Sequence, residues 1–533
     1  MPVRRNTSKT LALLSVSCLG LAALAACGGG SSASSASSGG SAAGAPQRGG
    51  TLTVAWDYDP PTMDLLHYAT GEGSTFVSGD QWADWEVFDA LAYENPTTGA
   101  LVMETAKSIT SSGPSVWTIT LKPGIKFTDG TPYDAAAIEF NYKRAQDPAN
   151  TSYDELYADE IKTMQVVNPL TLKLTLTAAD SEFGRVIAKE LCFIGSPAAI
   201  KSEGAQFGLH PVGAGPFILT NWIHGSQLTL VRNPHYWNAP YPYVNKLIIN
   251  IIPNNTQRLN ALLSGQDLLI GSGIEPQIVP QATAQGFKAL EVNQPIGGEG
   301  FVFDTVTAPF NSLLARRAVA AALDYKGMDQ AVFNGLYPAV THLIDQPSPF
   351  YNAADAMPSY NPTLAQQLLN QYFAQTGKPL TFTMLVSQNS YPEGEYFVSQ
   401  LEGQFKHIDP KYEEIADAAF IGQLATHKFQ MSVDAIGGYA PEPGFSLAFS
   451  GTSPENFGGL NDPTLNAALQ TGLTSDDLST QVQAYNTVQS QVIAQVPLVL
   501  TYPNAAWAIY STKVHNVQAS AGYPLYQYMW VSS

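Results

Sequence analysis

The side chains of this sequence that could perform chemistry are few and lie far apart along the chain. Of its three cysteines, Cys18 and Cys27 lie near the amino terminus, and Cys192 stands alone in the apolar context LCFIG. A lone thiol in such a context is typically a buried structural residue. The eight histidines are scattered, and His224 and His235 fall in separate turns, which gives only weak support to a zinc or nickel site. We therefore predict no bound metal and no cofactor.

Motifs of enzyme active sites are also missing from the sequence. It contains no G-x-S-x-G elbow, no H-E-x-x-H metal motif, no phosphate-binding lysine loop and no paired C-x-x-C. Asp129 and Asp134 belong to a turn and a helix start, where carboxylates have a structural role. Arg316 and Arg317 are predicted to form the solvated or salt-bridged face of a helix rather than an anion site. The pattern favours binding over catalysis, and we predict that the protein is not an enzyme.

The bulk composition narrows the class of protein. At 533 residues the chain is too long for a single hydrophobic core, so at least two domains are expected. Hydrophobic residues make up 45% of the chain and aromatic residues 11%, which is typical of a globular protein. The formal net charge is −18, and a surface this acidic repels the phosphate backbone of nucleic acids. We therefore predict that nucleic acids are not among its partners.

The amino terminus has the pattern of an export signal followed by a tether. A basic start precedes an apolar run that ends at residue 26 and is shorter than the roughly 20 residues of a spanning helix. The tetrapeptide LAAC resembles a bacterial lipobox, which implies cleavage of residues 1–26 and lipidation of Cys27. A flexible tether rich in Gly, Ser and Ala is predicted over 27–48. The alternative is an ordinary secretory signal in which Cys27 is incidental. No second long apolar segment follows, so the mature chain is not expected to span a bilayer.

Alternation and turn chemistry predict the elements that would position a site. Residues 211–238 combine a Gly/Pro turn with two strands, the second of which places Leu228 and Leu230 on one face. Thr131 is the predicted N-cap of a helix that continues to Arg144. Other strands are predicted over 51–56, 170–176, 246–252, 380–386, 429–433 and 497–502, and other helices over 82–93, 256–264, 315–324, 361–372 and 482–492.

Four motifs, in this order, resemble the signatures of a known family. They are WTITLKPGIKFTDGTP from Trp117, PVGAGPF with LVRNPHYW from Pro211, IPNNTQRLNALLSG from Ile252 and PFNSLLARRAVAAALD from Pro309. Each is similar to a segment of the extracytoplasmic solute-binding proteins of family 5, the oligopeptide, dipeptide and nickel class that serves ATP-driven importers. The resemblance covers residues 49 to 515.

The resemblance implies an α/β fold of the periplasmic-binding-protein type. In its type II form, two lobes are joined by a two-crossing hinge, and the larger members carry an extra satellite domain. The implied divisions are a first lobe of 49–75, 191–295 and 497–533, a satellite domain of 76–190 inserted in it, and a second lobe of 296–496. The first hinge crossing is expected around 294–300, where glycines give backbone freedom, and the strand 497–502 is expected to cross back.

The resemblance also implies where a ligand would bind, because two such lobes close on a ligand by hinge bending. The segment VDAIGGYAPEP, from Val433, is similar to the strand and turn that contact ligand in the family. In peptide-binding members an aspartate there pairs with the peptide α-ammonium. Here Tyr439 takes its place, so Asp434 or Glu442 would have to supply the charge.

Glycines and aromatic residues complete the predicted site. Gly437 and Gly438 would let a ligand backbone approach closely, and Tyr439 could stack on it. For Tyr502 and Trp507, lobe packing is an equally good interpretation. The candidate ligand-binding residues are Tyr58, Asp304, Asp434, Gly437, Gly438, Tyr439, Tyr502 and Trp507.

The function implied by the resemblance is capture of a peptide or peptide-like solute and its delivery to the permease subunits of an ABC importer. The chain would act as a monomer, held by lipid on Cys27 at the extracytoplasmic face of the bacterial cytoplasmic membrane, or in the periplasm. Two alternatives stay open. One is a lipoprotein that senses a ligand with the same fold, and the other is import of a non-peptide solute such as a nickel chelate, a glycoside or an opine-like compound.

Overall fold

The computed structural model describes residues 45–66, 82–96, 98–150, 152, 154–272, 274, 277–387, 392–520 and 523–532. The predicted signal peptide, Cys27 and most of the predicted tether lie outside the described residues. Within them, no helix is both long enough and apolar enough to cross a bilayer.

The strands are numbered in chain order. They are β1 Thr51–Trp56, β2 Ala92–Glu94, β3 Leu101–Met103, β4 Ala106–Ser111, β5 Val116–Leu121, β6 Ile161–Asn168, β7 Thr171–Leu176, β8 Phe217–Ile223, β9 Gln227–Arg232, β10 Lys246–Ile251, β11 Leu269–Ile270, β12 Lys288–Asn293, β13 Ile296–Phe303, β14 Leu380–Ser387, β15 Ile408–Ile415, β16 Met431–Gly438, β17 Leu498–Tyr502, β18 Ala505–Tyr510, β19 Val514–His515, β20 Ala519–Ser520, β21 Tyr523–Pro524 and β22 Trp530–Val531.

The helices are numbered in the same way. They are α1 Trp82–Val87, α2 Ala135–Ala145, α3 Glu155–Ala158, α4 Phe183–Lys189, α5 Pro197–Glu203, α6 Asn255–Ser264, α7 Ile278–Ala284, α8 Leu313–Ala322, α9 Tyr325–Val332, α10 Pro362–Thr376, α11 Pro392–Gln404, α12 Asp417–Ala425, α13 Gly444–Phe449, α14 Pro463–Thr474 and α15 Leu478–Gln495.

The first large sheet has seven strands in the order β12-β18-β11-β1-β10-β9-β8. One of its faces carries apolar side chains that oppose one another across strands. Val54, Ile249 and Leu228 lie side by side on β1, β10 and β9, and all three are buried. Leu230 on the same face is also buried, so the predicted alternation of β9 is confirmed.

The Gly/Pro turn before β8 is held by close backbone packing. The amide of Gly215 donates a 2.9 Å hydrogen bond to the carbonyl oxygen of Val87. A Cβ atom added to Gly213 would lie 2.2 Å from that oxygen, and one added to Gly215 would lie 2.5 Å from the Val87 carbonyl carbon. Only glycine fits at these two positions, which is the physical reason for the spacing of the PVGAGP motif.

A four-stranded antiparallel sheet in the order β4-β5-β7-β6 forms a separate layer. Ile119, Leu172 and Leu174 on its strands are fully buried, in one cluster with Ile138 of α2. We call this part of the molecule the satellite domain. The bounds 76–190 of the predicted insertion stay a prediction.

The second large sheet has five strands in the order β15-β14-β16-β13-β17. Strands β14 and β15 are parallel over their full length, whereas β13 runs antiparallel to both β16 and β17. We call the parts of the molecule built on the seven-stranded and five-stranded sheets the first lobe and the second lobe.

The hydrophobic clusters of the described residues do not mix the two lobes. Buried members of two clusters come only from residues 296–500, and those of three others come only from 52–282 and 509–529. The second lobe therefore has its own core, although the chain from residue 46 onward forms one compact unit.

Two chain segments, side by side, connect the lobes. The first links β12 to β13 through Gln294 and Pro295, and the second links β17 to β18 through Pro503 and Asn504. The amide of Gln294 donates to the carbonyl oxygen of Asn504 at 3.1 Å, and the Asn504 side chain donates back to Oε1 of Gln294 at 3.2 Å. The predicted two-crossing hinge is confirmed. The prediction that the strand 497–502 itself crosses the hinge is wrong, because β17 pairs with β13 and the chain crosses only after Tyr502.

The helix predicted over 82–93 is shorter in the structure. Helix α1 ends at Val87, and Asp89 adopts a positive φ of 61° that stops it. The amide of Gly215 donates to the carbonyl oxygen of Val87, and the amide of Ala214 donates to the carbonyl oxygen of Phe88 at 3.3 Å. The carbonyl groups that a longer helix would use are therefore occupied by the Gly/Pro turn.

The prediction that Thr131 caps this helix is also wrong. Helix α2 begins at Ala135, and Asp134 caps it by accepting a 3.0 Å hydrogen bond from the amide of Ala137. Thr131 is held elsewhere, because Asp129 accepts hydrogen bonds from its amide and its hydroxyl. The structural role predicted for both aspartates is confirmed.

Arg316 does not lie on a solvated face, contrary to the prediction. It is 4% exposed, and its guanidinium donates to the carbonyl oxygens of Gln495, Val496 and Phe310. Arg317, which is exposed, donates to the carbonyl oxygen of Ala494. The last carbonyl groups of α15 have no hydrogen-bond donors within the helix, and the two arginines are their donors.

Candidate ligand-binding site

Both large sheets present the carboxyl ends of their parallel strands to the crossings. In the first lobe β12 runs into a crossing, and β11, β1 and β10 run in the same direction. In the second lobe β13 runs away from its crossing, so its antiparallel neighbour β16 and the parallel β14 end there. Ligands of open α/β sheets bind at the carboxyl ends of strands, so the candidate site lies between these two edges.

Aromatic rings line the second-lobe side of this space. The ring of Tyr502, at the end of β17, stacks on that of Tyr337 with centroids 5.1 Å apart and an interplanar angle of 14°. Phe333 packs edge-on at 4.8 Å from Tyr502 and 5.3 Å from Tyr337. The indole of Trp507 on β18 lies beside Tyr337, and burial raises the pKa of the Tyr337 phenol to about 12. The structure therefore brings the predicted residues Tyr502 and Trp507 together.

Three carboxyl groups of the second lobe lie close enough together for the charges of two of them to act on the third. Glu299 is on β13, Asp434 is on β16, and Glu393 is in the first turn of α11, which follows β14. The hydroxyl of Tyr502 donates a long hydrogen bond of 3.5 Å to Oε1 of Glu393, and the amide of Ala435 donates to Oδ1 of Asp434 at 2.9 Å. No ion pair found in the described part of the chain includes any of these three carboxyl groups. We call them the carboxyl trio.

The electrostatics of the carboxyl trio are unfavourable in the protein alone. Burial, together with the nearby charges of Glu393 and Asp434, raises the pKa of Glu299 to about 7. Burial likewise raises the pKa of Glu393 and that of Asp434 to about 7. Near neutral pH the trio therefore carries negative charge that no described cation balances. A ligand with a positive charge would offset that cost.

The glycines predicted to admit a ligand backbone lie at the end of β16. A Cβ atom added to Gly437 would lie 2.2 Å from Oε1 of Gln294 and 2.4 Å from Nδ2 of Asn504. The close approach at Gly437 is therefore to the two crossings of the protein itself. Gly438 is half-buried beside it. Contact of either glycine with ligand stays a prediction.

Tyr58 and Tyr439 lie at the edges of the candidate site. Tyr58 is half-buried and follows β1, at the edge of the first sheet that faces the crossings. Tyr439 follows β16 and is buried, and its carbonyl oxygen would lie 3.0 Å from a Cβ atom added to Gly99. Tyr439 thus packs against the segment between β2 and β3.

Asp304 lies apart from the other candidates. It follows the far end of β13, roughly 25 Å along the strand from Ile296 at the crossing. Its buried carboxylate accepts hydrogen bonds from the amide of Val306 at 3.1 Å and from the hydroxyl of Thr307, and Nδ1 of His427 lies 3.2 Å away. The structure does not bring Asp304 to the candidate site, because β13 runs away from the hinge.

Sequence reasoning missed Glu299, Glu393 and Tyr337. A signal existed for Glu299, which is the one charged residue in the strand IGGEGFVF and is flanked by glycines. Glu393 and Tyr337 carry no such signal. They reach the crossing only because α11 follows β14 and because the segment after α9 packs under Tyr502.

Residues 100–458 match the model of the bacterial extracellular solute-binding proteins, family 5 Middle. The chain belongs to this family. The resemblance found in the sequence motifs is confirmed.

Proteins of similar sequence and structure support the fold of this family 5 protein. The glutathione-binding protein GsiB of Shigella dysenteriae is 28% identical over 322 residues, which are 58% of this chain and 60% of the relative. The chain thus spans about 60% of the length of the curated relatives it matches. The periplasmic binding protein DppA of Helicobacter pylori, solved with the peptide STSA, superposes with a TM-score of 0.77 at 20% identity, over 91% of this chain and 99% of that chain. NikA of Brucella suis, solved with Fe(III)-EDTA, superposes with a TM-score of 0.79 at 19% identity, over 91% of this chain and 100% of that chain. The bilobal type II fold is confirmed.

Among the residues that the structure describes, no group of three or more His, Cys, Asp or Glu side chains is arranged to hold a metal ion. Cys192 is buried, as the sequence predicts, and is a free thiol among the described residues.

Proposed function

We propose that this family 5 protein captures a peptide or peptide-like solute with a free ammonium group and delivers it to the permease subunits of an ABC importer. The observation that carries the proposal is the carboxyl trio, Glu299, Glu393 and Asp434, next to aromatic rings at the crossings. Relatives named for glutathione binding and solved with the peptide STSA support the peptide class.

The charge of the ligand follows from desolvation. An ammonium group that leaves water for a cleft needs a negative partner, and an uncompensated buried charge costs several kcal/mol. The family resemblance puts an aspartate where this chain has Tyr439. The carboxyl trio supplies the missing charge from neighbouring elements of the same lobe. A ligand ammonium would also reduce the mutual repulsion among the three acids.

The aromatic rings would hold the rest of the ligand. Tyr502 and Trp507 are both half-exposed, so part of each ring is open to contact. Their faces can pack on a peptide backbone or attract a cation, and Tyr337 holds the Tyr502 ring in place by stacking. This arrangement suits recognition of a main chain more than of one particular side chain.

The test compares a ligand with and without its positive charge. Calorimetric titration of the purified protein with Ala-Ala-Ala and with its N-acetylated form should give affinity at least about tenfold higher for the free peptide, because acetylation removes the ammonium group. Equal affinities would refute the ammonium proposal. Mass spectrometry of compounds that co-purify from the native host would identify the cargo, and compounds without an amino group would contradict the proposal.

The proposal includes the location and organisation of the chain. Cleavage after residue 26 and lipidation of Cys27 would tether a monomer to the extracytoplasmic face of the membrane through residues 27–48. Since Trp85 and Phe88 pack in the core of the first lobe, we place the start of the satellite domain near residue 91 and the end of the second lobe at Tyr502. Cys27→Ala should move the protein from the membrane fraction to the soluble fraction. Unchanged fractionation would contradict the anchor.

A further inference from the structure

A second contact joins the satellite domain to the second lobe, away from the two crossings of the chain. The carbonyl oxygen of Leu473, in the last turn of α14, accepts hydrogen bonds from the amide of Ser181 at 2.8 Å and from its hydroxyl at 2.7 Å. Nε2 of Gln481, in the first turn of α15, donates to Oε1 of Glu182 at 2.9 Å. Residues 181–182 therefore hold the turn between α14 and α15.

Each side of this contact is also held by hydrogen bonds within its own part of the molecule. On the satellite side, Nε of Arg185 donates to Oε2 of Glu182 at 2.7 Å, and the same guanidinium donates to the carbonyl oxygen of Gly99 at 2.7 Å. On the second-lobe side, Gln481 is buried and also donates to the carbonyl oxygen of Ser475 at 2.9 Å. The groups need little reordering to pair, which favours a contact that can form and break.

The contact joins parts of the protein with separate cores. Phe183 and Val186 of α4 belong to the satellite cluster, whereas Leu469 of α14 and Tyr485 of α15 belong to a second-lobe cluster. The bonds between Ser181–Glu182 and the α14–α15 turn are polar, so opening would return them to water at small cost. A polar contact between bodies that share no apolar core is what a reversible closure requires.

We propose that Ser181, Glu182, Leu473 and Gln481 form a latch that stabilises the closed form of the protein and so sets its affinity without touching the ligand. Hydrogen bonds made only in the closed form raise the population that is competent to hold a ligand, and the apparent affinity rises with that population. The latch goes beyond the proposed function and relies on it only where a ligand is used as readout.

The test reads closure first without ligand. Gln481→Glu places a carboxylate against Glu182, and small-angle X-ray scattering of the unliganded protein should show a larger radius of gyration than for the native chain. Ser181→Ala, which removes one hydrogen bond, should give a smaller change in the same direction. Gln483→Glu is the matched control, because it adds the same charge to an exposed position of α15 and should leave the radius unchanged.

The second readout is affinity. Titrated with Ala-Ala-Ala, Gln481→Glu should bind roughly tenfold more weakly and Ser181→Ala about threefold more weakly, mainly through faster dissociation. A radius of gyration that neither Gln481→Glu nor Ser181→Ala changes would overturn the latch. If the radius changes but Ala-Ala-Ala does not bind, the latch stands and the proposed function fails. Thermal melts show whether Gln481→Glu folds. If it does not, Ser181→Ala alone is used for the test.

Discussion

Two groups of carboxyl side chains, one on each side of the hinge, differ in how many hydrogen-bond donors surround them. In the first group Asp89 accepts hydrogen bonds from the hydroxyl of Tyr236 at 2.9 Å, from Nε1 of Trp237 at 2.8 Å and from the amide of the next residue at 2.9 Å. Beside it, Glu104 accepts a hydrogen bond from the hydroxyl of Tyr528 at 2.5 Å. Burial, together with the nearby charge of Glu104, raises the pKa of Asp89 to about 8. The donors nevertheless fix this group in one geometry.

The second group is the carboxyl trio, in which Glu393 is buried, Glu299 and Asp434 are half-buried, and the described donors are few. In the described residues Glu393 accepts a 3.5 Å hydrogen bond from Tyr502 and one from its own backbone amide, and Asp434 accepts one from the adjacent amide. A buried acid that the fold uses for structure is surrounded by donors. Among the described residues the trio has few donors, and that difference is what we expect between a structural group and one whose partner is a ligand.

The largest effect should come from Asp89→Ala. The substitution leaves the buried donors of Tyr236 and Trp237 without an acceptor, and Asp89 also holds a positive φ of 61° that alanine disfavours. We expect a loss of about 3 kcal/mol or more in the free energy of unfolding, measured by urea denaturation. Asp476→Ala, at an exposed position, is the control. A loss within the error of the control would show that the first group is not structural.

The next effect should come from Glu393→Gln, and it should fall on binding. We expect affinity for free Ala-Ala-Ala to fall roughly 30-fold, because a buried charge partner is lost, while the acetylated peptide is hardly affected. Stability should not fall at pH 8, since the raised pKa of Glu393 means that its ionised form is costly above pH 7. Glu395→Gln, an exposed neighbour on α11, is the control. Equal losses for both peptides would contradict ammonium recognition.

A pH series sharpens the comparison further. The carboxyl trio has pKa values near 7 in the unliganded protein, and an ammonium group would favour the ionised forms and lower those values. Binding should then release protons below pH 7, so the affinity ratio of free to acetylated peptide should rise from pH 5.5 to 7.5, by up to tenfold per pH unit for each proton released. The range stays below the pKa of the peptide amine, about 7.7–8.0. The ratio cancels effects of pH on closure, and a flat ratio would exclude the trio as the anchor.

Most of the fold could be predicted from the sequence because its signals are local. The PVGAGP turn follows from two close backbone approaches, the cap of α10 from Asn361 before Pro362, and the end of α6 from Gly265 in a left-handed conformation. The errors arose where a distant segment decided the outcome. Helix α1 ends early because residues 214–215 take its carbonyl groups, and Arg316 is buried because the end of α15 lies over it.

The candidate site was predicted less completely for the same reason. Tyr502 and Trp507 follow from their place next to a predicted crossing, but the carboxyl trio depends on three elements that meet only in the folded chain. Asp304 was misplaced because the sequence shows where a strand closes and not which of its ends faces the hinge.

The smallest effect should come from Tyr502→Phe. The substitution removes the 3.5 Å hydrogen bond to Glu393 and keeps the ring stacked on Tyr337. A bond of this length is weak, so we expect affinity for Ala-Ala-Ala to fall only about twofold to threefold, measured by calorimetry. Tyr510→Phe, at the end of β18 away from the crossing, is the control. If Tyr502→Phe cost as much affinity as Glu393→Gln, the hydroxyl would hold the Glu393 carboxylate as firmly as Tyr236 holds Asp89, and the contrast between the two carboxylate groups would fail.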